Sequence, residues 1–151
     1  MPPLPIIIDT REQAPWSFPI GLVTTTRAGL MAGDYALAGD PAFAIERKSL
    51  DDYVQTITRS ASWDRFRREL DRMRRAGYPA LVVVVEGTVD DLSQHRYASP
   101  MVKPKFVLKR TAELTMGGVS VLFAGGPEAA AYMGYAVLRE RSIQMGPKVV
   151  A

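Results

Sequence analysis

The tripeptide Glu46-Arg47-Lys48 carries the residue types best suited to chemistry in this sequence. It ends a segment that we predict to be a strand, and in a strand residues i and i+2 point to the same face. Glu46 and Lys48 should therefore share one face, with Arg47 on the other. Asp34 lies earlier in the chain, across a predicted hairpin. The hairpin would bring this second carboxylate close to Glu46.

Converging carboxylates beside a lysine can hydrolyse an anionic ester. Two or three carboxylates form a site of hard oxygen ligands that suits Mg²⁺ or Mn²⁺. Such a metal polarises a phosphate and lowers the pKa of a bound water, while a lysine orients that water or stabilises developing charge. An aspartate on one hairpin strand and Glu-x-Lys on its partner is the PD-(D/E)xK arrangement of many nucleases. Glu-x-Lys alone also occurs by chance at exposed strand ends, where it forms only an ion pair.

The composition narrows the possible chemistry. The 151 residues fit one domain and include no cysteine, which excludes disulfides and thiolate metal sites. The single histidine, His95, argues against an imidazole zinc site and against histidine acid–base catalysis. No apolar run reaches the roughly 18 residues of a membrane span, and the N-terminus lacks a secretory pattern. We therefore expect a cytoplasmic protein (nucleoid-associated, or nuclear in a eukaryote) with no membrane partner.

Positive charge is clustered along the chain. The formal net charge is +3, and six arginines lie between positions 65 and 75. Clustered cations suit a phosphate backbone, so we predict that part of this cluster binds DNA. The residues predicted for this contact are Arg65, Arg67, Arg68 and Arg72. The alternative is a solvated helix face, because Asp64, Glu69 and Asp71 interleave the arginines.

Hydrophobic patterning predicts the elements that position these residues. Strands are expected at 5–9, 22–26, 33–37, 42–48, 80–85 and 119–123, with a turn at 38–41. Helices are expected after the N-cap Ser49 and at 62–76, 105–116 and 127–141, with a loop-rich segment at 88–104. This order predicts an α/β fold with a mixed sheet flanked by helices, its hairpin strands antiparallel and its later strands parallel. The domain should span 6–141, between tails at 1–5 and 142–151.

Several motifs in register resemble the nuclease domain of the XPF/Hef family of structure-specific endonucleases, the excision repair cross-complementation group four type. The family hallmark is Gly-Asp, a variable gap and then Glu-Arg-Lys-x-x-x-Asp. Gly33-Asp34, Glu46-Arg47-Lys48 and Asp52 match it. Asp9-Thr10-Arg11-Glu12 resembles the family's upstream motif. Arg65 resembles the arginine that opens the next helix, whereas Glu69 stands where glutamine is expected.

The resemblance covers about residues 5–141, and it implies a restriction-endonuclease-like fold that cuts flaps, forks or junctions with Mg²⁺ or Mn²⁺ in DNA repair or recombination. It implies that Asp34 and Glu46 are the principal metal ligands, with Asp9 as a further acidic contributor. Lys48 would position or activate the attacking water. Supporting roles are implied for Arg11, Glu12, Arg47 and Asp52. Arg11 and Arg47 could instead hold carboxylates by ion pairs, and Asp52 could simply be a favourable charge in the first turn of a helix.

The expected partners are inferred from a DNA-binding module that other members of the family carry. Family members commonly carry a tandem helix-hairpin-helix module, for which this chain has no room. Affinity for branched DNA is therefore expected to come from the arginines, from a homodimer, or from a separate helicase or DNA-binding protein. The homodimer would use a face of the last helix that includes Tyr132, Met133, Tyr135, Ala136 and Leu138. The rival interpretation is that this face packs on the chain's own sheet.

Two other functions remain open at the level of sequence. One is a catalytically silent DNA-binding or scaffold subunit of a nuclease complex. The presence of all four chemistry-bearing residues favours an enzyme instead: Asp9, Asp34, Glu46 and Lys48. The other is a Holliday-junction resolvase or a restriction-like nuclease on the same fold, because a fold does not determine its substrate.

Overall fold

A six-stranded mixed sheet with helices on both faces forms the protein. The structure, a computed structural model, describes residues 2–146. The strands are β1 (Leu4–Asp9), β2 (Val23–Ala28), β3 (Tyr35–Leu37), β4 (Ile45–Ser49), β5 (Leu81–Glu86) and β6 (Val119–Phe123). The helices are α1 (Leu50–Thr58), α2 (Ser60–Arg75), α3 (Val89–Ser93), α4 (Pro104–Met116) and α5 (Pro127–Met145).

The strand order is β2-β1-β3-β4-β5-β6. β3 is antiparallel to both of its neighbours, whereas β4, β5 and β6 are parallel to one another. The predicted mixed sheet is therefore confirmed. β1 and β2 are also parallel, joined by a loop with no helix in it. This arrangement brings the end of β1, the start of β3 and the end of β4 to the same edge of the sheet.

Two hydrophobic cores cover the two faces of the sheet. α1, α2 and α4 pack on one face, around Val83 and Val85 of β5. The loop holding Trp16 and helix α5 pack on the other, around Val82 and Val84. Because successive residues of a strand alternate between faces, a strand covered on both sides is apolar throughout. This explains the unbroken valine run of β5.

The hairpin is confirmed, but its strands are shorter than predicted. β3 begins at Tyr35 and β4 at Ile45, and these two residues face each other. Residues 33, 34 and 42–44 fall outside the strands, so the connection is longer than a tight turn. The segment predicted as loop at 88–104 contains the short helix α3, whose start is stabilised by a capping box between Thr88 and Asp91. His95 follows α3, and its Nε2 lies within hydrogen-bond distance, 3.0 Å, of the carbonyl oxygen of Ser99.

Two helix boundaries also differ from the prediction. α2 begins at Ser60, two residues before the predicted start. α5 continues to Met145, past the predicted end at Arg141. Arg141 donates to both carboxylate oxygens of Asp40, at 2.7 and 3.0 Å, and this buried pair fixes the last turns of the helix to the β3–β4 loop. The rest of the predicted tail, 147–151, lies outside the described residues. Within residues 2–146, no helix combines the length and the apolar character needed to cross a membrane.

Candidate active site

Glu46 and Lys48 lie side by side on the face of the sheet that α1 and α2 cover. The Nζ atom of Lys48 is 3.5 Å from Oε1 of Glu46. About a fifth of each side chain is exposed, 21% for Lys48 and 20% for Glu46. The shared face predicted from their spacing is confirmed, and the ammonium is close enough to partly neutralise the carboxylate.

Asp34 is held against β4 by the backbone. Its Oδ2 accepts a 2.7 Å hydrogen bond from the amide of Arg47. Gly33 makes this close approach possible, because its φ of +78° is strained for other residues and a Cβ there would lie 2.6 Å from Cβ of Ala44. The backbone conformation of Gly33 therefore allows the carboxylate of Asp34 to lie beside β4, the strand that carries Glu46.

The ionised forms of Asp34 and Glu46 are unfavourable without a cation, because the pKa values of both carboxyl groups are raised. Burial raises the pKa of Glu46 to about 8, and repulsion from Asp34 adds to this, while Lys48 opposes it. Burial also raises the pKa of Asp34 to about 6, against the hydrogen bond from the Arg47 amide. Repulsion from Glu12 and Asp9 raises it further, and Lys48 lowers it. A cation between Asp34 and Glu46 would relieve this repulsion.

Asp9 lies at the same edge, and both of its carboxylate oxygens already accept hydrogen bonds. Its Oδ1 accepts a 2.8 Å hydrogen bond from the amide of Leu30, and its Oδ2 accepts from the amide and Nε of Arg11. Burial alone would raise the pKa of Asp9, but these hydrogen bonds outweigh it and hold the pKa below its ordinary value. In this conformation Asp9 and Arg11 act together to fix the loops around the site.

The donor set fits a hard divalent cation of low protein coordination. Among residues 2–146, no three His, Cys, Asp or Glu side chains are grouped closely enough to hold a metal ion on their own. Mg²⁺ usually keeps several waters and binds through one or two carboxylates together with substrate phosphates, so it does not need such a cage. Asp34 and Glu46 could supply those two carboxylates.

The side chain of Arg47 lies on the face of β4 opposite to Glu46 and Lys48. Its guanidinium pairs with Glu86 through Nε and with Glu12 through NH1, the latter at 3.0 Å. Trp16 donates to the same Glu86 oxygen at 2.8 Å, and Tyr35 donates to Glu12 at 3.0 Å. Arg47 therefore holds the loop after β1 onto the sheet. Its guanidinium makes no ion pair with the carboxylate of Asp34 or Glu46 in the structure of residues 2–146.

Glu86 is the member of this network that the sequence pattern did not single out. A signal was present, because Glu86 ends an otherwise aliphatic strand. It also faces Ser49 in the parallel register of β4 and β5. A carboxylate at the end of a buried strand needs a partner, and the neighbouring strand offers Arg47.

Comparison with known proteins decides the family. The sequence matches the ERCC4 domain family over residues 8–136. The chain belongs to the ERCC4 domain family. The comparison with curated proteins gave no match.

Solved structures share the fold of this ERCC4 domain. XPF from Aeropyrum pernix has a TM-score of 0.69 at 21% identity, over 97% of this chain and 65% of that chain. XPF from Aeropyrum pernix in complex with DNA has a TM-score of 0.64 at 18% identity, over 97% of this chain and 68% of that chain. The chain thus spans about two thirds of these relatives. The likeness confirms the predicted α/β fold, a mixed sheet flanked by helices.

The ERCC4 domain carries a further acidic residue, Glu69, on α2. Its charge adds to the repulsion that raises the pKa of Glu46. Arg72 is 3.9 Å from Glu69 and donates at 3.2 Å to the carbonyl oxygen of Met31. Arg72 was predicted to contact DNA, but here its guanidinium links α2 to the loop that leads to Asp34.

The other three arginines predicted for DNA contact line two different grooves. Arg65 lines a groove next to Lys48. Arg67 and Arg68 line a different groove, between α2 and α4. Asp52 belongs to the first of these grooves, and its amide donates a 3.1 Å hydrogen bond to Oγ of the N-cap Ser49. The side of α2 with Arg65 is therefore the side nearer the carboxylates.

Proposed function

We propose that this chain is a metal-dependent endonuclease that hydrolyses phosphodiester bonds in branched DNA, at flaps, forks or junctions, in repair or recombination. The observation that carries the proposal is the pair of partly buried carboxyl groups, Asp34 and Glu46, with the ammonium of Lys48 beside Glu46. Membership of the ERCC4 domain family supports it. So does the likeness to a protein whose structure was solved with DNA.

Asp34 and Glu46 would hold the metal, Mg²⁺ or Mn²⁺. When bound, this ion would polarise the scissile phosphate and lower the pKa of a water molecule. Asp34 lies just before β3 and Glu46 lies on β4, so the spacing of the two carboxylates that would hold the ion depends on the pairing of these strands. Asp9 would be the further acidic contributor. Its oxygens already accept hydrogen bonds from Leu30 and Arg11, so its contribution would be made from a fixed position.

Lys48 would orient the attacking water and stabilise the charge that develops on the phosphate oxygens. Because the ammonium of Lys48 lies beside Glu46, it would be close to a water molecule and to a phosphate held at this carboxylate. Hydrolysis forms a bond between the water oxygen and phosphorus and breaks one ester bond. The leaving oxygen takes up a proton, and the products are a phosphate monoester and a hydroxyl group.

The supporting residues act through position. Arg47 and Glu12 fix the loop after β1, and Arg11 fixes Asp9. Asp52 lines the groove beside Lys48. We propose that these four residues determine where the reacting groups lie and do not themselves touch the reacting atoms.

A homodimer is the partner arrangement that we propose first, with a separate helicase or DNA-binding protein as the other means of supplying affinity. On α5, Tyr132 and Met133 are exposed, with 55% and 37% of their surfaces accessible. Leu138 is fully buried against the chain's own sheet. Only part of the predicted dimer face is therefore free to meet a second copy.

The test is cleavage of end-labelled single-stranded, duplex, flap, fork and four-way-junction DNA, with Mg²⁺, Mn²⁺ or EDTA. The matched control is Glu46→Gln, which keeps the shape of a protonated glutamic acid. We expect metal-dependent cutting near the branch that is absent from the control. Equal cutting by the control would remove Glu46 from the site. Binding without cutting in every lane would instead support a silent subunit.

A further inference from the structure

A second groove adjoins the candidate active site and shares Lys48 with it. The groove has a volume of about 480 Å³. We call it the α1–α2 groove, and its lining residues are Lys48, Asp52, Gln55, Thr56, Arg59, Ala61, Ser62 and Arg65. Lys48 forms the boundary, since its ammonium also lies 3.5 Å from Glu46.

Helical spacing accounts for the two walls of this groove. Asp52, Gln55, Thr56 and Arg59 follow one another at intervals of three, one and three residues, which places them on one side of α1 and its C-cap. Ser62 and Arg65 are three residues apart and lie on one side of α2. Arg59 lies between the helices, as the C-cap of α1 and the N-cap of α2. Its position lets it face the groove from the corner where the helices meet.

The groove carries more positive than negative charge, and two of its cations are free to bind an outside anion. Lys48, Arg59 and Arg65 outnumber the single acid, Asp52. Within residues 2–146, neither the Arg59 nor the Arg65 guanidinium makes a hydrogen bond or an ion pair. Other arginines of α2 differ, since Arg67 pairs with Asp64 at 3.6 Å and Arg74 pairs with Asp71 at 2.8 Å.

The lining suits a sugar–phosphate backbone better than a base. Bases are usually held by stacking on aromatic rings. The groove has no aromatic side chain, and its uncharged members are small or polar. Guanidinium groups, by contrast, match phosphate geometry and often form two hydrogen bonds with it.

We infer that the α1–α2 groove binds a backbone phosphate of the DNA strand next to the phosphate that is cut, with Arg59 and Arg65 as its cationic ligands. This inference rests on the proposed function, because the groove opens beside Lys48. It gives Arg59 a role that neither its sequence context nor the predicted arginine cluster indicated. It also predicts that the strand leaves the carboxylates over the corner between α1 and α2.

The experiment measures DNA binding without cleavage. The full-length chain carrying Glu46→Gln is titrated with single-stranded, duplex and fork DNA in EDTA over a series of salt concentrations. Each phosphate contact contributes about 0.9 to the slope of log affinity against log salt on duplex DNA, and about 0.7 on single strands. Arg59→Gln and Arg65→Gln should each reduce the slope by about that amount. The matched control is Arg75→Gln, an exposed arginine in the last turn of α2.

The outcomes separate this inference from the nuclease proposal. A reduced slope for Arg59→Gln with an unchanged slope for Arg75→Gln supports the groove, whether or not the wild-type chain cuts DNA. An unchanged slope for Arg59→Gln overturns it, even if the wild-type chain proves to be a nuclease. Equal losses for all three arginines also overturn it, because they would indicate a diffuse charge effect. Thermal midpoints of the variants confirm that each is folded.

Discussion

The amide of Arg47 donates a 2.7 Å hydrogen bond to Oδ2 of Asp34. The main chain of β4 therefore holds the carboxylate of a residue that lies just before β3. The side chain of Arg47 meanwhile lies on the opposite face of the sheet, where it pairs with Glu12 and Glu86. One residue thus connects the candidate active site to the loop packed behind it. The position of Asp34 depends on how β3 and β4 are paired.

Gly33→Ala should displace Asp34. The substitution forces a residue with a side chain into φ of +78° and places a Cβ 2.6 Å from Cβ of Ala44. The backbone strain costs about 1–2 kcal/mol, and the overpacking adds about 1–3 kcal/mol. Gly77→Ala is the control, because Gly77 has φ of +88° but nothing within 4 Å of the added Cβ. Denaturant unfolding should show the larger loss for Gly33, and DNA cleavage should be lost only there; equal losses would contradict the role of the contact.

The metal-free protein should lose stability as pH rises from about 4 to about 8. The pKa values of Asp34 and Glu46 rise from ordinary values of 3.8 and 4.5 to about 6 and about 8 in the folded protein. The folded state therefore binds more protons than the unfolded state in this window, and the free energy of unfolding decreases with pH. It is highest, as far as these groups contribute, below the unfolded pKa values.

Urea unfolding in EDTA at a series of pH values measures this slope. Glu46→Gln should flatten it, and Mg²⁺ should raise stability most at the alkaline end, where the carboxylates are ionised. Glu140→Gln, on the exposed part of α5, should leave the slope as it is. A metal-free protein that becomes more stable over the same window would show that the carboxyl groups are not strained by burial and repulsion.

Lys48→Met should lower kcat for DNA cleavage by about a hundredfold to a thousandfold, the usual effect of removing one group that stabilises a transition state. KM should change much less, because the arginines would still hold DNA. Lys103→Met, at an exposed lysine, is the control for general loss of charge. A Lys48→Met enzyme with normal kcat would assign the lysine to an ion pair alone.

Arg141→Ala should cost about 1–3 kcal/mol of stability, because it removes two charge-assisted hydrogen bonds from the carboxylate of Asp40. Only 3% of the Asp40 side chain and 19% of the Arg141 side chain are exposed. Asp40→Ala combined with Arg141→Ala should cost less than Arg141→Ala alone. Chemical unfolding of the three variants decides this, and a loss below about 0.5 kcal/mol would mark the pair as an ordinary surface contact.

The part of the site set by local spacing could be predicted from the sequence. The alternation of Glu46, Arg47 and Lys48 on β4 follows from the geometry of a strand. The mixed sheet follows from the order of apolar segments. The long-range partners could not be predicted in this way: Arg47 meets Glu86, and Arg141 meets Asp40, across segments whose proximity only the tertiary fold creates.

The arginine cluster shows the same limit. Its sequence indicates a basic helix, and Arg65, Arg67 and Arg72 are equivalent when only their charge is counted. In the structure each has a different environment, since Arg67 pairs with Asp64, Arg72 contacts Met31 and Arg65 faces the α1–α2 groove. Arg59 lies outside the cluster, and only the packing of α1 against α2 reveals its position.

The strand order has a consequence for how the chain folds. β1, β3 and β4 pair with near neighbours in sequence, whereas β5 joins β4 only after two intervening helices. Closing a long loop costs more entropy than closing a short one, and local contacts form faster. We therefore expect the hairpin to bring Asp34 and Glu46 together before β5 joins the sheet, so that their repulsion contributes to the folding barrier. We expect metal-free refolding to slow as pH rises, and Glu46→Gln to abolish that slowing in stopped-flow measurements.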